Sequence, residues 1–195
     1  MQWIDITTDS LVNVYKKNNY ILKTNPYELN VFGIRSKGGM TNTFNDIIGA
    51  LRLNWGGSWE VLICKGTTDP GLYWLQHPMN VNGTAILMPG QYIGSHKTGK
   101  HNGKYRALVQ CGKLRIWRDR DQDQEYDYTA PQDAINTGIN IHHAGVNSII
   151  VDKWSAGCQV CAILTEFQEL MNQVDDHLTL WPDLFDYTLF EEEKL

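Results

Sequence analysis

Short apolar segments recur along this chain between turn residues, and Leu29 to Arg35 alternates between apolar and polar positions well enough to be a strand. Leu29-Asn30-Val31-Phe32-Gly33-Ile34-Arg35, Ile47 to Leu53 and Trp59-Glu60-Val61-Leu62-Ile63-Cys64 read as strands. Asn54-Trp55-Gly56-Gly57-Ser58 joins the last two as a hairpin. Further strands are expected at Ala85-Ile86-Leu87, after the Met88-Pro89-Gly90-Gln91-Tyr92 turn, at Leu114 to Arg118, at Gly138 to His142 and at Phe185 to Phe190. Pro followed by Gly at the centre of the 88–92 turn favours type II. Ser36-Lys37-Gly38-Gly39 is a turn, and Gly66 to Gly83 is mostly loop.

Helical periodicity appears near both ends. Leu11, Val14, Tyr15 and Leu22 repeat at roughly helical spacing, with Asp9 or Ser10 as the cap and an end near Asn25-Pro26. Thr165 to Leu178 carries the stripe Phe167, Leu170, Met171, Val174 and Leu178, with Thr165 and Gln168 in capping-box spacing. The pattern predicts a single β-rich α+β domain over residues 1–195, with helices near both termini.

Composition narrows the function classes. With 195 residues and 42 % hydrophobic content, the chain can build a core without disulfides. Lys+Arg of 17 against Asp+Glu of 22 gives −5, which argues against nucleic acid as a partner. No apolar run approaches the roughly 18 residues of a membrane span, so no membrane partner is expected. Met1 to Asp5 shows neither a basic nor an apolar signal region. The expectation is therefore synthesis in the cytoplasm, with the four cysteines (Cys64, Cys111, Cys158, Cys161) as free thiols.

The chemistry concentrates in two segments. Ile139-Asn140-Ile141-His142-His143-Ala144-Gly145 ends an apolar strand on a histidine. Sixteen residues after His142, Trp154-Ser155-Ala156-Gly157 leads into Cys158, expected just ahead of a helix. A thiol nucleophile needs a base, because free cysteine is mostly protonated near neutral pH. Glycine before it allows close backbone approach, and the Gly157 and Cys158 amides could hold an oxyanion. His143 alternates to the opposite face from His142, so only one of the pair should point at Cys158. By the same logic a reactive Cys158 should alkylate faster than Cys64 or Cys111.

These motifs resemble the L,D-transpeptidase (YkuD-like) catalytic domain. Its signature reads I-H-G, then S/T-H-G-C, matched here by Ile141-His142 and by Ser155-Ala156-Gly157-Cys158. Ile86 to Tyr92 is similar to the family's upstream T-P-x-G-x-Y/F stretch, and the resemblance covers about residues 59–162. The departures are Ala156 for the motif histidine, Gln159 for Arg or Asn, and His143 for Gly. With Phe32 to Ser36, the chain also looks like phage-encoded relatives of this domain. The resemblance implies a β-rich sandwich. It implies acyl transfer on peptidoglycan stem peptides through a thioester, ending in hydrolysis or transpeptidation, with no cofactor or metal. Cys158, His142, Gly157 and Ser155 would be catalytic. Phage delivery would carry the enzyme to the cell wall.

Other residues carry weaker expectations. His143, Trp154, Tyr92 and His101 are candidates for binding substrate, the aromatic faces by stacking. Gly94 to Tyr105 is basic and Gly-rich, and reads as either a mobile loop or a substrate loop. Asp119 to Glu125 alternates carboxylates but lacks the glycine and glutamate of a calcium loop, so it reads as a solvated turn. Two rival functions stay open: an inactive cell-wall- or partner-binding module on the same fold, and a zinc-dependent hydrolase using His142 or His143 with Cys158 and Cys161.

Overall fold

The computed structural model describes residues 6–38 and 40–195. Residues 1–5, where the absence of a signal was read, and Gly39 of the expected turn lie outside the described residues.

The α+β, β-rich expectation holds. In chain order the elements are α1 (Thr8–Lys17), β1 (Asn30–Arg35), β2 (Asp46–Leu53), β3 (Trp59–Thr67), α2 (Leu72–Gln76) and β4 (Thr84–Leu87). They continue as β5 (Gly90–His101), β6 (Tyr105–Gln110), β7 (Leu114–Asp119), β8 (Gln132–Ala134), β9 (Ile141–His143), β10 (Gln159–Cys161), α3 (Leu164–Leu178) and β11 (Phe185–Glu191). No described helix is long and apolar enough to cross a membrane.

The expected sandwich takes another form. Eight strands close into a barrel in the order β1-β11-β5-β6-β9-β10-β3-β2, and β4-β7-β8 forms a separate sheet beside it. Closure depends on two contacts invisible to local pattern: the parallel pairing of β1 with β11, and the single Leu108–Ile141 pair of β6 with β9. The chain crosses from the small sheet to the barrel between β4 and β5, where Tyr92 donates its hydroxyl to Met88 O (2.5 Å).

Several local expectations are corrected. Thr7 caps α1, accepting from the Ser10 amide (3.1 Å) while Ser10 Oγ accepts from the Thr7 amide (3.0 Å). The helix stops at Lys17 rather than near Pro26, and Asn19 at φ 55 turns the chain out. Ile163, with no side-chain cap, precedes α3, so the Thr165–Gln168 capping box does not form. On α3, His177 rather than Leu178 completes the buried stripe; its Nδ1 accepts the Leu29 amide (3.1 Å). The Gly66 to Gly83 stretch contains α2, and Gly94 to Tyr105 is the β5–β6 hairpin, turned at Asn102 (φ 50) and Gly103 (φ 69). Asn-Gly is the preferred pair for such a turn.

The main core combines the barrel interior with the buried face of α3: Leu29, Val31, Ile48, Leu108, Ile141, Phe167, Leu170 and Tyr187. Buried polar groups beside it form a paired cluster, with Arg35 Nη1 left without a partner. Arg35 pairs with Asp69 (2.8 Å), and Asp46 accepts from the Ser36 and Thr68 amides (2.8 and 2.7 Å). The acidic turn is exposed from Arg120 to Glu125, with Asp121 and Asp123 each capping an amide two residues on. Asp119 itself is buried and accepts from the Asp127 amide (3.0 Å).

Candidate active site

The two motif segments meet through β9 and β10. These short strands pair in parallel, with Val160 opposite His142. The pairing brings His142 and Cys158 to the same place. Cys158 precedes a strand, however, and α3 begins only at Leu164. One ring nitrogen of His142, one of His101 and the Cys158 sulfur all lie within 4.8 Å of one another.

The His142 tautomer follows from its partners. Nδ1 lies 2.8 Å from His143 O, and a carbonyl can only accept, so Nδ1 carries the proton. The Tyr105 hydroxyl sits 3.1 Å from the same nitrogen and donates to the same carbonyl (3.3 Å). Nε2 is buried and has no hydrogen-bond partner. Its free lone pair is what a base needs.

The thiol is held by backbone. Cys158 Sγ donates to Gly138 O (3.4 Å) and receives the Asn140 N–H (3.5 Å). Burial raises the thiol to about 11, partly offset by that Asn140 amide. Burial also lowers His142 to about 3, with His101 adding repulsion toward a second cation. At neutral pH the pair is thiol and neutral imidazole. That reverses the expectation of a fast-alkylating thiolate.

Ser155 and Gly157 shape the turn. Ser155 is fully buried; its Oγ donates to Cys158 O (2.7 Å) and accepts the Gly157 N–H (3.1 Å). The Gly157 amide is thus occupied, which corrects its expected oxyanion role. The Cys158 amide has no acceptor among the described residues and remains as the donor. Gly157 adopts φ 114 against β4, where a Cβ would lie 2.4 Å from Ala85 O. Gln159, at the position of the family's Arg or Asn, points inward. It accepts from Tyr187 (2.7 Å) and donates to Thr68 O (3.2 Å).

Of the substrate-binding candidates, Trp154 and His101 line the cleft over Cys158, whose volume is about 550 Å³. That is within the usual range for small-molecule and peptide sites. His143 and Tyr92 are not brought to it. The His143 ring packs on Tyr105 and Phe167, with centroids 4.5 and 5.3 Å away. Tyr92 is buried and tied to Met88 O and Arg115 O.

Sequence reasoning missed Asn140 and Tyr105. Asn140 Oδ1 accepts the Gln110 amide (2.9 Å), which orients its Nδ2 toward His101 Nδ1 (3.1 Å). Its backbone N–H reaches the sulfur, so one residue connects thiol and second histidine. The His101 ring then stacks on His142 with centroids 3.8 Å apart. The Asn102-Gly103 turn signal could have found this pairing, because it fixes His101 at the end of β5. Cys161 is buried in the core, away from the cleft lining.

No protein-family model, curated protein or solved structure matches this chain.

Proposed function

We propose that the protein is a cysteine-dependent acyl transferase or hydrolase acting on peptidoglycan stem peptides, with Cys158 as nucleophile and His142 as base. One observation carries the reading: His142, whose buried Nε2 has no hydrogen-bond partner, brings a ring nitrogen within 4.8 Å of the Cys158 thiol that lines an open cleft. A buried histidine nitrogen without a partner costs stability and calls for a reason. A proton acceptor that must stay free until substrate arrives supplies one.

The step follows from the neutral resting pair. The Cys158 S–H proton passes to His142 Nε2 as sulfur attacks an amide carbonyl. The imidazolium that forms is held by His143 O at Nδ1. The developing oxyanion receives the Cys158 amide, a donor type whose loss typically costs about 100- to 1,000-fold. His142 returns its proton to the leaving amine as the C–N bond breaks, leaving a thioester. Water or a second amine then releases the acyl group and restores the thiol.

The residues shared with the L,D-transpeptidase signature, His142, Gly157 and Cys158 with Ser155, support the choice of stem peptides. The likeness to phage-encoded relatives supports delivery to the wall by a phage route. Mass spectrometry of stem-peptide products tests this. Wild type should yield cleaved or transferred products, and Cys158→Ala should yield none while remaining folded. Unchanged turnover in Cys158→Ala overturns the proposal.

The three-donor group favours a second reading, a zinc hydrolase using His101, His142 and Cys158. Two histidines and one cysteine match a catalytic zinc site with an open position. Stoichiometric zinc in the purified protein, with loss of activity on its removal, would select this reading.

A further inference from the structure

We infer that Arg118 is the carboxylate subsite of the Cys158 cleft, so that its ligand is a peptide bearing a free carboxylate. The inference rests on the reading of this cleft as the place where peptide amides are attacked.

Arg118 lies on β7 in the separate sheet, opposite Ala85 of β4. Ala85 is also the residue against which Gly157 packs. One backbone position thus separates the guanidinium's strand from the turn that presents Cys158. Both Arg118 and Cys158 line the same cleft.

The guanidinium is buried and underused. The residue is 7 % exposed, Nη1 donates to Gly83 O (2.9 Å), and Nε has no partner. Nη2 makes no hydrogen bond, and no carboxylate lies within 4.0 Å of the group among the described residues. Arg35, the comparably buried arginine, pairs with Asp69 at 2.8 Å. An unpaired buried cation is costly and calls for an explanation, which a ligand carboxylate supplies. Its pKa is lowered by burial and by Arg120, as expected for a cation lacking an anion.

The surrounding charge agrees. The chain is net acidic at −5, yet the cleft is lined by the cations Arg118 and Lys153 against a single carboxylate, Asp133. Asp133 already pairs with Lys113 (2.6 Å) and lies 3.8 Å from Arg115. An anionic ligand is therefore drawn into a local positive field. Carboxylate suits a planar guanidinium better than a point charge does.

The test measures binding, in Cys158→Ala protein, of N-acetyl-alanyl-alanine and of its C-terminal carboxamide, in L,L and D,D forms. The free acid should bind about tenfold tighter or more, as charge-assisted hydrogen bonds allow. Added salt should weaken the acid and not the amide. Arg118→Gln should erase the difference, and Arg118→Lys should keep part of it. Equal affinity of acid and amide, binding of neither, or a preference that survives Arg118→Gln overturns the proposal. The acid-against-amide comparison needs no variant at Arg118, so misfolding of an Arg118 variant cannot mimic the result. Because Cys158→Ala performs no chemistry, an acid preference alongside a failed acyl-enzyme experiment would leave the subsite standing and the reaction fallen.

Discussion

Substituting Gly157 by alanine tests whether the turn before Cys158 is built on close backbone contact. Two costs add. At φ 114 an L-residue is strained, by about 1–3 kcal/mol for such positions. The new Cβ would also stand 2.4 Å from Ala85 O, so β4 or the turn must shift. Overpacking of this kind costs about 1–3 kcal/mol. The sum is about 2–6 kcal/mol, and a chain of this length loses about 2–4 °C per kcal/mol. Gly157→Ala should therefore lower the thermal midpoint by about 4–24 °C. Gly57→Ala is the control: its φ of 78 carries strain, but nothing lies within 4 Å of its Cβ. Circular-dichroism melts of both variants decide it. A Gly157→Ala midpoint no lower than that of Gly57→Ala would refute the contact argument.

Further expectations follow from the site. The His142 ring, depressed to about 3, should show no titration between pH 5 and 8 by NMR; a midpoint near 6.5 would contradict its buried neutral state. Because the folded pKa lies below the unfolded value, His142 contributes stability that is full above about pH 6.5 and lost as pH falls toward about 3. His142→Gln should then show a shallower loss of stability with acid, and an identical acid limb would refute this. Iodoacetamide at pH 7 should label exposed Cys111 before Cys158; preferential labelling of Cys158 would show a thiolate that burial forbids. Tyr187→Phe removes the hydroxyl that Gln159 Oε1 accepts and should cost about 1–3 kcal/mol in urea titration, with no loss indicating an unimportant bond.

What the sequence revealed depended on how local the cause was. β2 and β3 are apolar runs joined by a short hairpin rich in Gly, so local pattern found both. β10 is three residues long and is made by pairing with β9 and β3, so no window of sequence announces it. Barrel closure rests on β1 meeting β11 across most of the chain, which periodicity cannot encode. The site divides the same way. His142 and Cys158 were legible from motif residues and alternation. His101 was placed in a loop because glycines and lysines mask a strand that pairs with β6 from His96 to His101. Arg118 read as an ordinary strand residue, since its isolation from any carboxylate exists only in three dimensions.

The most direct measurement is the intact mass of the protein during incubation with a stem tetrapeptide, followed by peptide mapping. The account predicts a transient mass increase equal to the acyl fragment, localised to Cys158, slower to form in His142→Gln and absent in Cys158→Ala. Product formation without any adduct at Cys158, or an adduct mapped to Cys111, would contradict it.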